Sequence, residues 1–393
     1  MPLSLSSLFI GIMSGTSADG IDIAIVRIGD APDGPVELIQ FSEYPMPAAL
    51  REAVLKLAAS DTGEIDAIDS MGALDRALGV AYADTVLAAI HGVGLKETDI
   101  AAIGCHGQTI RHRPKAEQPF TVQIGCAATV AEQTGITTVS DFRSRDIAAG
   151  GEGAPLVPFS HRRLFAHERK NIAVVNIGGI ANVTWLGLDG TTIGFDTGPG
   201  NMIMDGLMLA FSNGRNTFDR NGELAASGAV NHALLEKLML HPFLQRKPPK
   251  STGREEFGEE MVQLILGWPD ISDADRMATA CQYTADAIEN SIGFMPNEPA
   301  KWLVCGGGTR NLHLMQLLSR QLAPATVKTT EAEDVPPQAV EAVCFALLAK
   351  QTLTGETNTI AEVTGAGHNV CGGQITPGNN WSELLKSIPA WTR

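Results

Sequence analysis

GFDTGPGN, Gly194–Asn201, is the stretch on which the reading of this chain turns. It sets one carboxylate, Asp196, between an expected strand end and a loop of Thr197, Gly198, Pro199 and Gly200. Glycine lets a backbone approach a ligand closely, and proline stiffens the turn. A carboxylate held there can serve as a general base once a substrate brings a proton within hydrogen-bond reach. An isolated Asp-Thr-Gly is served as well by an Asx-turn in a surface loop. Its company decides: three other glycine-rich turns punctuate the chain, each after an apolar run.

Just upstream, NIAVVNIGGIANVTWLGLDG (171–190) reads as strand, polar glycine turn and strand. LFIGIMSGTSADGIDIAIVRIG (8–29) has the same plan, and Ile21, Ile23 and Ile25 give it the β-branched content of a buried strand. Two such hairpins, one near the start of each half, suggest a duplicated domain with a phosphate loop in each copy. The first turn carries Ser14, Gly15, Thr16, Ser17, Asp19 and Gly20: hydroxyls and backbone donors for phosphate oxygens, with Asp19 or Asp22 available to a metal. Neither G-x-x-x-x-G-K-[ST] nor G-x-G-x-x-G occurs. Downstream, Met202–Phe211 has the composition of a helix, which puts Asn201 near a helix N-terminus where anions are favoured.

Further out, CHGQTIRH (105–112) follows a short strand and gathers His106, Gln108, Arg111 and His112 at its C-terminal end, the usual ligand edge of a parallel sheet. The six-residue spacing of the two histidines does not suit zinc. Arg143, Arg145 and Asp146 form either a solvated charge run or a cationic hold on a substrate anion. Pro155 and Pro158 mark a candidate domain boundary. Lys250–Arg254 is a polar turn that a helix cap before Glu255 explains without chemistry. KWLVCGGGTRN (301–311) is a buried strand ending in Gly306, Gly307 and Gly308, room for a base and ribose against bare backbone. Glu341 falls in the first turns of a helix that follows Pro336 and Pro337.

At 393 residues two domains are expected, and 44% apolar content suffices to bury real cores. A net charge of -15 argues against nucleic acid or an anionic membrane as the main partner. Six cysteines without a CxxC pair read as reduced thiols, and no stretch reaches the length of an apolar span. The expectation is a soluble, cytoplasmic protein.

Taken together, FIGIMSGTSADGID, GCHGQTIRH, DFRSRDIAAGGEGAPLVP, NIGGIAN, GFDTGPGN, PPKSTGRE and LVCGGGTRN resemble the anhydro-N-acetylmuramic acid kinases of bacterial cell-wall recycling, in order over nearly the whole chain. The resemblance implies an α/β fold of two duplicated actin-like (ribonuclease H-like) ATPase domains with ATP and substrate in the cleft between them. The expected domains are 1–142 with 364–393, and 143–363. It also implies a double reaction, in which water opens the 1,6-anhydro bridge while ATP, with Mg²⁺, phosphorylates the 6-oxygen of 1,6-anhydro-N-acetylmuramic acid. Asp196 matches the catalytic base that takes a proton from that water. Gly15, Thr16, Ser17, Asp19, Gly20 and Asp22 match the first phosphate loop, Asn176, Gly178 and Gly179 the second, and Gly306–Gly308 the adenosine turn, with Asp19 and Asp22 the candidates near Mg²⁺. His106, Gln108, Arg143 and Asp146 fall in segments similar to the sugar pocket, where a cation pairs with the lactyl carboxylate, and Glu341 resembles a second acid near it. Ala18 stands where the family usually has leucine, and Ser144 interrupts a usual run of three arginines. Family members are dimers, so a homodimer is expected. The alternatives are a kinase of another anhydrosugar such as levoglucosan, which has no lactyl carboxylate, and a non-catalytic ATP-binding switch, against which the intact Asp196 loop argues.

Overall fold

β1 (Ser6–Met13), β2 (Gly20–Gly29) and β3 (Val36–Pro45) form an antiparallel run, and β4 (Ile100–Cys105) and β7 (Thr138–Ser140) continue it in parallel from β1. The computed structural model describes residues 6–15, 17–29, 34–59, 66–166 and 169–388. β2 reads GIDIAIVRIG and is buried on both faces over most of its length, as its β-branched content requires. β13 (Gln374–Thr376) adds a sixth strand antiparallel to β7, and β5 (Gln108–Arg113) pairs with β6 (Phe120–Ile124) in a separate ribbon.

The second half repeats the order. β8 (Ile172–Ile177), β9 (Ile180–Leu186) and β10 (Thr192–Pro199) are antiparallel neighbours, and β11 (Lys301–Cys305) and β12 (Thr326–Thr329) extend the sheet in parallel from β8. The strand sequence β3-β2-β1-β4-β7 in one sheet thus matches β10-β9-β8-β11-β12 in the other. The protein is an α/β duplication, as the two hairpins led one to expect.

Helices cover each sheet. Ala67–Gly92 starts at Asp66, whose carboxylate accepts from the amides of Ile68 and Asp69, and packs into the core around β1, β2 and β4. Asp273–Asn290 opens with a reciprocal cap between Ser272 and Asp275 and buries a small-residue face in the core of the second sheet. Among the described residues no helix is long and apolar enough to cross a membrane.

The chain divides into Met1–Leu164 with Glu341–Arg393, and Phe165–Val340. The crossings therefore fall after Leu164 and after Val340, not at the expected 142/143 and 363/364. The reason is the helix Val340–Thr354. A Cβ on Gly11 would sit 1.7 Å from the Ala342 carbonyl oxygen, and one on Gly104 2.0 Å from that of Phe345. Only bare backbone on β1 and β4 lets this helix lie flush on the first sheet. Arg143, Asp146 and Glu341, expected in the second domain, consequently belong to the first unit.

Candidate active site

In the second unit the glycine turns converge. The β8–β9 turn and the end of β10 are sewn together by backbone: Gly200 N–H donates to Gly179 O at 2.9 Å and Asn201 N–H to Gly178 O at 2.8 Å. The Asn201 amide donates to Ile177 O at 3.3 Å. The β11 turn joins them, since a Cβ on Gly306 would lie 2.2 Å from Asn176 Oδ1 and one on Gly308 2.4 Å from Ile177 Cγ2. Gly306 also has φ +80°, a left-handed value that only glycine takes without strain. Gly307 is different: it is exposed, and a Cβ there would meet nothing closer than 3.9 Å. Gly179 is exposed as well. So Asn176, Gly178, Gly179 and Gly306–Gly308 do come together, with Gly306 and Gly308 needed for the fit of the turns.

Asp196 lies within β10, opposite Asn182, rather than at the strand end that the sequence led one to expect. The strand breaks register just after it, and Gly198 has φ +148°. A segment from outside the sheet grips it: Thr252 N–H donates to Asp196 Oδ2 at 2.9 Å, and Asp196 N–H donates to Lys250 O at 3.2 Å. The Lys250 side chain, 8% exposed, turns inward among Phe195, Phe243 and Phe294. Burial pulls this amine down to about 8, against the pull of the Asp196 carboxylate and with that of Arg246. Sequence reasoning gave Lys250 only a place in a polar turn. Its one signal was a cation between prolines and a Ser-Thr-Gly, which says nothing of burial. Asp205, in the first turn of the helix Met202–Phe211, is raised to about 7 by burial alone.

In the first unit a second polar cluster is buried. His106 follows β4, is 5% exposed, and stacks at 4.7 Å on Phe345. Arg143 donates to its Nε2 from Nε at 3.2 Å and from Nη2 at 2.9 Å, and from Nη1 to Gly153 O at 2.8 Å. Burial and the Arg143 charge hold His106 well below the usual imidazole range, so it is neutral and carries its proton on Nδ1. Burial lowers Arg143, which the Glu341 charge opposes; burial raises Glu341, which the Arg143 charge opposes. His106, Arg143 and Glu341 form one group.

Two expected pocket residues hold the frame. Asp146 is fully buried; its Oδ2 accepts from Gly153 N at 2.7 Å and its Oδ1 from the Thr364 hydroxyl at 2.7 Å. A Cβ on Gly151 would strike it at 2.3 Å. It ties down the glycine loop after Arg143 and has no face for a ligand. Gln108, 1% exposed, accepts from the Ser14 hydroxyl at 2.7 Å and donates to Gly15 O at 3.1 Å. It fixes the first turn from beneath. Arg111 is spent on the carbonyls of Ala58 and Ala59 at a helix end.

In the first turn, Ala18 N–H closes on Gly15 O at 3.0 Å, and the Ser17 hydroxyl donates to Asp19 Oδ1 at 2.7 Å. Ala18, with φ +49°, is fully buried, and packing beneath the loop is its place. Gly15 has open space around it, Gly20 and Asp22 are half-buried, and Asp19 is exposed. Thr16 lies outside the described residues. Among the described residues no group of three or more His, Cys, Asp or Glu could hold a metal ion. The six cysteines are free, and burial pushes Cys105, Cys281 and Cys344 up to about 12.

A repeated sheet with three antiparallel and two parallel strands, and glycine turns gathered at one strand-borne carboxylate, places the protein among actin-like and sugar-kinase-like folds. The family model for anhydro-N-acetylmuramic acid kinase matches residues 7–378, and the chain belongs to that family. It is 43% identical over 365 residues to "Anhydro-N-acetylmuramic acid kinase" of Vibrio parahaemolyticus, covering 93% of this chain and 96% of the relative. The relative of that name from Xylella fastidiosa is 43% identical over 359 residues, 91% of this chain and 93% of its own. One from Coxiella burnetii is 42% identical over 377 residues, covering 95% and 98%. Solved structures are far more remote. A Streptomyces griseus ROK family glucokinase in complex with glucose and AMPPNP gives a TM-score of 0.39 at 12% identity, over 88% of this chain and all of that one. Likeness at that level assigns nothing to the chain.

Proposed function

We propose that the protein is an ATP-dependent kinase of 1,6-anhydro-N-acetylmuramic acid. It opens the anhydro bridge with water and phosphorylates the 6-oxygen, giving N-acetylmuramic acid 6-phosphate. The observation that carries the reading is Asp196, a carboxylate fixed on β10 by the Thr252 amide, in a chain that belongs to this kinase family. Asp196 takes one proton from the attacking water, whose oxygen bonds to the anomeric carbon as the bridging oxygen leaves it. That oxygen accepts the γ-phosphoryl group, and ADP departs. Each half helps the other, because the leaving group of the sugar is the nucleophile at phosphorus.

The bare turn backbones fit a phosphate chain and an adenosine. Exposed Gly179 and Gly307 leave room for a ligand, while the residues behind them are locked. Mg²⁺, when bound, supplies charge neutralisation to the transferring group. With no cluster of three ligands among the described residues, its protein hold rests on Asp19 or Asp22 and its remaining ligands are phosphate oxygens and water. Arg143 uses three of the five guanidinium N–H groups on His106 and Gly153, so two remain for a lactyl carboxylate. This favours the muramic sugar over levoglucosan, which brings no anion to pair. The free thiols accord with a reducing cytoplasm, and a homodimer remains the family-based proposal.

The test is turnover with ATP and Mg²⁺ on the anhydro-muramic acid, levoglucosan and N-acetylmuramic acid in ¹⁸O-labelled water. Label at the anomeric hydroxyl of a 6-phosphorylated muramic acid is the expected result. Preference for levoglucosan would move the substrate assignment, and no turnover of any sugar would sink the kinase reading.

A further inference from the structure

Lys250 is the buried ionisable group that this reaction leaves without a task. An ammonium taken out of water costs free energy, and an apolar side chain would fill the same space at less expense. Here the amine lies 4.4 Å from the centre of the Phe294 ring, 4.7 Å from Phe243 and 5.7 Å from Phe195. Its Nζ donates to Phe243 O at 3.4 Å. Three ring faces stabilise a cation electrostatically and also fix where it sits. Phe195 directly precedes Asp196, and the Lys250 carbonyl accepts the Asp196 amide. Backbone and side chain of one residue therefore both address the base.

We propose that Lys250 is a positioning residue for Asp196: its caged ammonium keeps the carboxylate ionised and aimed, so that the base is ready at neutral pH. This rests on the kinase reading above. The coupling of two charges is mutual, so a carboxylate that favours the ammonium is favoured by it. Of the charged groups facing the amine, Asp196 comes from β10 and Arg246 from the end of the helix Pro242–Gln245. Arg246 is itself paired with Glu256 at 2.6 Å, and the Ser291–Phe294 turn brings only its ring. The amine is pulled to about 8, so mild alkali discharges it and withdraws the support of the base.

The experiment compares wild type, Lys250→Met and Lys250→Arg over pH 5.5–9.5, a range of about two units to either side of neutrality, with the anhydro-muramic acid, ATP and Mg²⁺. Wild-type turnover is measured first, since its absence sinks the kinase reading and leaves Lys250 aside. Lys250→Met is expected to lower kcat by about 10- to 100-fold with KM within about twofold, part of the range that a general base contributes. Its acid limb should move to higher pH. Lys250→Arg, charged throughout, should recover part of kcat and lose the alkaline limb. A Lys250→Met enzyme with the wild-type kcat and pH profile overturns the proposal. Should either variant fail to fold, the Lys250 amine is titrated by NMR in wild type and in Asp196→Asn. A midpoint that falls in Asp196→Asn supports the coupling, and an unmoved midpoint overturns it.

Discussion

The two units share one strand order and use it for opposite electrostatics. In the first, a neutral histidine, a guanidinium and a glutamate are packed against one another beside Phe345, and each charge is answered by another. In the second, Asp196 and Lys250 face turns whose side chains have been stripped to glycine, and Asp205 stands without an opposing charge. The difference is one of task. Holding a small anionic sugar calls for fixed donors, whereas phosphoryl transfer calls for bare backbone and one reactive carboxylate. A duplicated scaffold supplies both because its loops, not its strands, carry the chemistry.

The largest expected effect is at the reactive carboxylate. Asp196→Asn keeps the shape and removes the base, so kcat should fall by about 10³-fold or more while ATP affinity changes little. Isothermal titration of ATP alongside turnover checks this, and weak ATP binding would make Asp196 a structural residue of its strand. Glycine substitutions come next, and they separate the units. Gly104→Ala drives a Cβ into the Phe345 carbonyl at 2.0 Å, and a stability loss of about 3 kcal/mol or more is expected, with ordinary kcat from the protein that remains folded. Gly306→Ala meets Asn176 Oδ1 at 2.2 Å with φ +80°, so it should cost ATP affinity at least tenfold along with about 1–3 kcal/mol of stability. Equal effects of the two on ATP binding would break the contrast. Smaller again is Arg143→Lys. An ammonium cannot serve His106 Nε2 and Gly153 O in the geometry of a guanidinium, and KM for the muramic sugar should rise about tenfold with levoglucosan little affected.

Much of this was legible in the chain because periodicity and glycine turns are local signals. β8, β9 and β11 lie where their apolar runs place them, and the repeated hairpin correctly announced a duplication. What sequence could not supply was long-range. The helix Val340–Thr354 belongs to the first unit because of Gly11 and Gly104, more than two hundred residues upstream, and nothing local to Glu341 says so. Asp146 looked like a ligand beside two arginines, yet the Gly153 amide and the Thr364 hydroxyl consume it. Lys250 looked solvated because three phenylalanines from separate segments enclose it only in the fold. Charge and residue type were readable; burial was not.

The smallest expected effect concerns the carboxyl that nothing answers. Burial raises Asp205 to about 7, whereas Glu341, also raised, has the Arg143 charge opposing the shift. Between about pH 4 and 7 the folded chain keeps a proton on Asp205 that the unfolded chain has released. Stability therefore falls as pH rises through that window and is level above it. A shift of about three pH units corresponds to about 4 kcal/mol at most, and solvent reaching the half-buried group reduces this to about 2 kcal/mol. Asp205→Asn removes the penalty, so the variant should be more stable than wild type at pH 8 and equal to it at pH 4. Urea unfolding followed through Trp185 and Trp302, both buried in the second unit, reads that difference. A gap between variant and wild type that stays constant from pH 4 to pH 8 would mean that Asp205 is charged in the fold, and that the second unit tolerates an unanswered charge where the first does not.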